Sequence, residues 1–346
     1  MSSKKYLPKY ALCLILYISI CLLVLLIKIN QSYSERSVNH EPSHLSFPVT
    51  LSAISIESTY DTSIDTQVIE SSLQRIASVC EKYNKTPSLE RKHFFHAPSH
   101  NALFCWIRKV ASTSFTKMFA ELRGMQIHRD YYKRSESLSP ETVEELLNLI
   151  DDMEIFKFLA VRHPFERLVS SYRSRIEDNS KYSAQAWMFA PQIFSVTRPE
   201  LFHFNETIQS PMQRIFHNNR RLKIVPTFEE FVRWLLKQSD ENEDEHWSPY
   251  HSHCSICQMH FDYVLKLDDA SIQEFHSIFR KLNPTGKREN LMKLGQTRGG
   301  STNFKRTCNY LSTLTVDTIE KLYERYRFDF DMFDYSLRTY EACKRL

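Results

Sequence analysis

The chain has 346 residues, 42% of them hydrophobic, enough for one domain of ordinary size with its own core and further appendages. That excludes a small scaffold held together by disulfides alone. With 45 basic and 41 acidic residues the formal net charge is only +4, so no global field marks a nucleic-acid binder, and any polyanion must be met by a local cleft.

Residues 11–27, ALCLILYISICLLVLLI, are apolar and uncharged, with Lys4, Lys5 and Lys9 before them and Lys28 after them. As a helix this run spans about 25 Å, enough for a thin bilayer. The lysines on the amino side place the N-terminus in the cytosol. The long apolar run, with no small-x-small site after it, favours an uncleaved signal anchor over a cleaved signal peptide. The expected order is a cytosolic tail at 1–10, a transmembrane anchor at 11–28, a luminal stem at 29–90 and one globular domain at 91–346. The stem reading rests on residues 31–72, which are rich in Ser and Thr and carry little hydrophobic periodicity.

In a secretory lumen cysteines can oxidise. Cys80, Cys105, Cys254, Cys257, Cys308 and Cys343 all fall there, and the sequence selects none of their possible pairings. Asn84 (N-K-T) and Asn205 (N-E-T) are glycosylation sequons suited to the same compartment.

Within the domain, strand-like runs alternate with helical stripes, the pattern of an α/β sheet. ALFCWI (102–107) reads as a strand. After a short loop, Phe115, Met118, Phe119 and Leu122 recur at helical spacing, ending at Gly124. Ser139 and Pro140 signal a helix over ETVEELLNLI. FKFLAV (156–161) is a second strand, followed by Arg162, His163 and a Pro164 suited to a first helical turn, and then by a stripe of Phe165, Leu168, Val169, Tyr172 and Ile176. Thr227 and Glu230 have capping-box spacing before Phe228, Phe231, Val232 and Leu235. FDYVLKL (261–267) is a third strand. Val316, Ile319, Tyr323 and Tyr326 mark a last helix, and FDFDMFDY (328–335) supplies aromatics to the core. The basic segment 283–307, weakly periodic, reads as a loop bordering the ligand cleft.

The loop between the first strand and its helix, CWIRKVASTSF (105–115), has the shape of a phosphate-binding loop but contains no glycine. A triphosphate loop needs glycines so that the backbone can wrap the phosphates, which argues against a kinase or NTPase. A smaller anion can still sit at this helix start. The backbone N–H groups and hydroxyls of Ser112, Thr113 and Ser114 would face it, and Lys109 would supply charge. The alternative for the loop alone is an ordinary Ser/Thr-capped helix. Arg162 at the second strand end and Ser170 on the following helix can grip a second phosphate, Arg162 through its planar fork.

Together RKVASTSF and RHPFERLVSSYR resemble the two donor-binding elements of sulfotransferases that use 3′-phosphoadenosine 5′-phosphosulfate (PAPS). TFEEFVRWL (227–235), EHWSPYHSHCSICQMHFDYVLKLDD (245–269) and LYERYRFDFDMFDY are similar to blocks of the Golgi carbohydrate sulfotransferases related to chondroitin 4-O-sulfotransferase and the HNK-1 sulfotransferase. The resemblance covers about residues 100–335. It implies a P-loop-NTPase-like parallel sheet flanked by helices and, as activity, transfer of a sulfuryl group from PAPS to a glycan hydroxyl, with the 4-hydroxyl of N-acetylgalactosamine in chondroitin the leading acceptor. It also implies a single-pass type II protein of the Golgi membrane. Arg108, Lys109, Val110, Ala111, Ser112, Thr113 and Ser114 would hold the 5′-phosphosulfate, and Arg162 with Ser170 the 3′-phosphate. Lys109 would stabilise charge developing on the bridging oxygen, and His246 or His128 would accept the hydroxyl proton.

Two departures stand out: Arg108 occupies a position where the family usually has Pro, and His163 one where it usually has an acidic residue. ASTSF also resembles the uronyl 2-O-sulfotransferases, which keeps their acceptor open, and a tethered glycan binder without turnover is the alternative of a different class. Cys254 and Cys257, with His251, His253 and His260 nearby, could be zinc ligands, but the lumen and the resemblance favour structural cysteines, so no metal is expected. Lys287, Arg288, Lys293, Arg298, Lys305 and Arg306 could track an anionic glycan.

Overall fold

The computed structural model describes residues 64–83, 89–125, 135–203, 210–239, 243–268, 278, 281–282, 299–341 and 343. The anchor at 11–28, the sequons at Asn84 and Asn205, and His128 lie outside the described residues. No described helix is long and apolar enough to cross a membrane.

Four short segments pair into one sheet, side by side in sequence order: β1 (Phe94–Ala97), β2 (Ala102–Cys105), β3 (Phe156–Val161) and β4 (Tyr263–Lys266). β2, β3 and β4 run parallel, Cys105 opposite Leu159 and Val161 opposite Lys266. β1 turns back antiparallel along the edge, Phe94 opposite Cys105, so the sheet is mixed rather than wholly parallel. Sequence reading misses β1 because FFHA is only four residues long, shows no polar alternation, and is joined to β2 by Pro98 and Asn101 rather than by a strong hairpin dipeptide. Asn101 takes a left-handed φ of 45°, which its short polar side chain tolerates.

The sheet is packed by α1 (Ile64–Tyr83), α2 (Ser112–Leu122) and α3 (Val143–Asp151), and α4 (Pro164–Tyr172) and α5 (Ala184–Thr197) pack in clusters of helices beside it. α6 (Pro211–Ile215), α7 (Phe228–Leu235), α8 (Phe304–Leu311), α9 (Val316–Met332) and α10 (Arg338–Glu341) complete the described helices. Strand side chains alternate between two cores. Phe95, Phe104 and Phe158 meet Phe115, Met118 and Phe119 of α2 on one face. Leu103, Leu159 and Val161 meet Ile76 and Val79 of α1 and Phe328 and Met332 of α9 on the other. Because both faces are covered, the strands read as continuous apolar runs.

Local chemistry sets the helix ends. α2 stops at Gly124, whose φ of +65° carries a Schellman turn: Gly124 N–H bonds the Glu121 carbonyl and Met125 N–H the Ala120 carbonyl. Pro164 opens α4, where His163 Nδ1 accepts from Phe165 N–H. The expected capping box at Thr227 and Glu230 is present at the start of α7. At α3 the cap is Thr142, which accepts from Glu145 N–H, not the earlier Ser139.

Two boundaries move. α1 lies inside the segment read as stem, yet Ile76 and Val79 are buried and Cys80 is bonded to Cys257, so the folded unit begins well before residue 91. α9 runs through to Met332, absorbing most of FDFDMFDY. It does bury Ile319, Tyr326, Phe328 and Phe330, but Val316 is exposed at its first turn. The six cysteines pair as Cys80–Cys257, Cys105–Cys254 and Cys308–Cys343.

Candidate active site

Parallel strands present their C-terminal ends at one edge, the usual place for a ligand in an open α/β sheet. β2 ends at Cys105 and β3 at Val161, and both lead directly into the two elements singled out in the sequence. Cys105 is disulfide-bonded to Cys254, which fastens this edge to the 250–257 segment.

Backbone geometry explains how a loop without glycine turns here. Lys109 and Ala111 adopt left-handed φ values of 70° and 57°. Such conformations cost a non-glycine residue about 1 kcal/mol or more each, so surrounding packing must hold them. Val110, expected to line the site, is fully buried in the core between them and acts as the anchor. The N-cap of α2 is Ala111, which has no side-chain oxygen. Ser/Thr capping is therefore not the reason for the hydroxyls at Ser112, Thr113 and Ser114, which occupy the first helical turn.

Lys109 donates to Ser174 Oγ at 2.7 Å. Burial, then the positive charges of Arg175, Arg162, Arg108 and Arg173, hold its ammonium down at about 7 against an ordinary 10.5. Five cations thus converge on one loop. Ser174 and Arg175 are brought in by a π-helical turn over Arg173–Glu177 that follows α4, where Asp178 N–H reaches back to the Arg173 carbonyl. Such turns recur at functional sites because they swing side chains off the regular helical face. Arg173 donates to Thr302 Oγ1 at 2.8 Å and to the Gly300 carbonyl.

Arg162 is less free than the sequence suggested. It pairs with Glu166 Oε2 through Nε at 3.0 Å and Nη2 at 2.7 Å, and also donates to the Thr302 carbonyl. Glu166 in turn accepts from Tyr340 OH. Ser170 is buried on α4. Tyr250 OH donates to the Arg162 carbonyl and accepts from Arg162 N–H, both at 2.9 Å, pinning the strand end. Tyr250 N–H is itself held by Asp329, whose carboxyl burial pushes up to about 7. Arg167 ties three loop carbonyls together, those of Arg108, Glu245 and Ser248. Arg108 pairs with Glu245 at 2.6 Å and lies 4.8 Å from the Trp106 ring.

His246 is buried beside this cluster. Its Nδ1 meets Asp244 Oδ1 at 2.5 Å, and Nε2 has no hydrogen-bond partner among the described residues. Burial lowers its pKa to about 4; Asp244 pulls the other way, and Arg175 and Arg108 lower it further. The ring is therefore neutral near pH 7. With the proton held on Nδ1 by Asp244, the Nε2 lone pair is the accepting atom.

The structure thus joins Arg108, Lys109, Arg162 and His246, and adds Arg173, Ser174, Arg175, Thr302 and Asp244. The Arg-x-Arg at 173–175 was the one signal in the sequence, and it stood where a regular helix would have pointed it elsewhere. Of the basic loop, Lys287, Arg288, Lys293 and Arg298 lie outside the described residues, while Lys305 and Arg306 lie on α8. Cys254 and Cys257 are in separate disulfides and hold no thiolate for zinc. Among the described residues no group of His, Cys, Asp or Glu could hold a metal ion.

Residues 92–336 match the model of the sulfotransferase family. Carbohydrate sulfotransferase 11 of Rattus norvegicus is 26% identical over 269 residues, covering 74% of this chain and 70% of the relative. Carbohydrate sulfotransferase 14 of Danio rerio is 25% identical over 313 residues, covering 84% and 78%. Carbohydrate sulfotransferase 10 of Danio rerio is 26% identical over 306 residues, covering 78% and 75%. No solved structure matches the chain significantly.

Proposed function

The chain belongs to the sulfotransferase family and is a PAPS-dependent carbohydrate sulfotransferase, and from that premise we propose that it sulfates the 4-hydroxyl of N-acetylgalactosamine in chondroitin. The observation that carries the site is the convergence of Lys109 with Arg108, Arg162, Arg173 and Arg175 on the start of α2. Five cations around one loop, with Arg108 and Arg162 each paired to a single carboxylate, fit a donor with phosphate and sulfate groups. The chondroitin reading is supported by the TFEEFV and EHWSPYHSHC blocks in the sequence.

PAPS supplies a sulfuryl group on a phosphate leaving group, and what the protein does follows from its own residues. The N-terminal turn of α2 and Lys109 hold the 5′ end, where negative charge grows on the departing phosphate oxygen. Arg162, released in part from Glu166, and Ser170 hold the 3′-phosphate. His246 Nε2 takes the acceptor hydroxyl proton as the oxygen attacks sulfur, and Asp244 stabilises the imidazolium that results. His128 is the other candidate for this role. The anchor at 11–28 holds the enzyme in the Golgi membrane as a type II protein, with the sequons Asn84 and Asn205 in the lumen. Three disulfides fit such an oxidising compartment.

Radiolabelled PAPS offered with desulfated chondroitin, dermatan and heparan chains tests the proposal. Label entering chondroitin, lost in Lys109→Ala and Arg162→Ala, supports it, and disaccharide analysis of the product separates a 4-O from a uronyl 2-O position. Label entering only heparan refutes the acceptor assignment.

A further inference from the structure

An open cleft of ≈ 610 Å³ is lined by Asn179, His217, Asn218, Asn219, Arg221 and Lys223, none of them a residue of the site described above. Its lining holds two permanent cations, three amide side chains and no carboxylate. None of the ion pairs among the described residues involves Arg220, Arg221 or Lys223. Its volume is in the range of small-ligand sites, but it lacks the apolar walls typical of an enclosed metabolite pocket.

The cleft is built rather than incidental. Phe216 and Leu222 pair across a tight turn in which His217 N–H bonds the Arg221 carbonyl and Arg220 N–H the His217 carbonyl. Asn179 grips this turn three times: its Nδ2 donates to the Leu222 carbonyl, its Oδ1 accepts from Leu222 N–H at 2.8 Å, and its own carbonyl accepts from Arg221 Nε at 2.8 Å. Arg220, between Asn219 and Arg221 in the turn, has a left-handed φ of 61° and sets its guanidinium 5.2 Å from the Trp187 ring.

The same stretch of chain serves the active site. Asn179 is four residues after Arg175, so their Cα atoms are within about 14 Å. Ser183 Oγ donates to the Arg175 carbonyl at 2.6 Å, and Gln185 Nε2 to Asp244 Oδ2 at 3.3 Å. An acceptor that is a polymer places one sugar at the reacting site and runs its neighbours out over the surface. The Asn179 amide is spent on the turn, but those of Asn218 and Asn219 offer hydrogen-bonding groups to sugar hydroxyls, and an Arg fork with a lysine suits a carboxylate or sulfate ester.

We propose that the cleft bounded by Asn179 and residues 217–223 is an acceptor subsite that binds an anionic sugar unit of the glycan chain, next to the unit being sulfated. This rests on the glycan sulfotransferase reading above. Cleft binding gives the enzyme its preference for a charged chain over a neutral one, while the donor site is untouched by it.

Affinity of the full chain for desulfated chondroitin, whose charge comes from uronate alone, is measured by calorimetry with adenosine 3′,5′-bisphosphate present. The comparison is with Arg221→Gln, Lys223→Gln and the pair. The amide introduced by Arg221→Gln keeps a donor for the Asn179 carbonyl that Arg221 Nε now serves, so the turn survives the exchange. The expected result is a loss of roughly tenfold or more in chondroitin affinity for the pair, a smaller loss for each single exchange, and unchanged affinity for the bisphosphate. Chondroitin affinity retained within about twofold in the pair, or wild-type protein binding chondroitin no better than neutral dextran, overturns the subsite. Because binding is read without turnover, absence of label transfer by the wild-type chain would refute the proposed function separately.

Discussion

Binding of a nucleotide with two phosphates should be coupled to protonation of Lys109. Burial and four arginines bring its pKa from 10.5 to about 7, so holding the charge there costs about 5 kcal/mol. The folded protein then binds fewer protons than the unfolded chain between about pH 7 and 10.5, and its stability rises with pH across that window and falls as pH drops toward 7. An anion beside Lys109 returns the pKa upward, so binding takes up about half a proton at pH 7 and about nine-tenths at pH 8. The phosphates of adenosine 3′,5′-bisphosphate titrate near pH 6, so at pH 8 they release none of their own. Calorimetric titration with this nucleotide at pH 8, in two buffers of different ionisation enthalpy, reads the uptake directly. The expected uptake is close to one proton for the wild-type chain and close to none for Lys109→Ala. No uptake by the wild-type, or equal uptake by the variant, would refute the placement of Lys109 against the bound anion.

Asp244→Asn should lower kcat while leaving bisphosphate affinity unchanged, because it removes the group that orients His246 and stabilises its charged form; equal losses in both quantities would show a structural role only. Replacing Cys80 and Cys257 together by Ala opens a covalent loop with a sequence separation of 177 residues, and urea unfolding should show a loss of about 2–5 kcal/mol. Thr227→Ala removes the side-chain half of the capping box on α7, the Oγ1 that accepts from Glu230 N–H, and should cost about 1 kcal/mol in the same assay. Gly124→Ala, with open space around its Cβ but a φ of +65°, should cost about 1 kcal/mol through the backbone alone.

Strands β2 and β3, the stripes of α2, α4 and α7, and the buried aromatics of α9 were legible because local periodicity and burial coincide there. β1 was not, since an edge strand of four residues carries too little pattern to stand out. Nor was α1. Its sequence looks like a continuation of the Ser/Thr-rich stem, and only the packing of Ile76 and Val79 and the bond from Cys80 to Cys257 make it part of the fold. In the site, Lys109, Arg162 and Ser170 could be named from their places after strands. Arg173 and Arg175 could not, because the π-helical turn that aims them is invisible in residue spacing.

Sequence alone therefore determined the segments of β2, β3 and β4 and of α2, α4, α7 and α9, that a glycine-free loop and an arginine each follow a strand, and that the chain resembles sulfotransferases. Those are properties of neighbours within a few residues, where spacing and side-chain type suffice. Tertiary structure decided the cysteine pairing, the left-handed backbone at Lys109 and Ala111, the partnership of Arg162 with Glu166, and the meeting of His246 with Asp244 beside the cations. Each of these depends on long-range packing or on a conformation that costs energy locally and persists only because the surrounding core holds it.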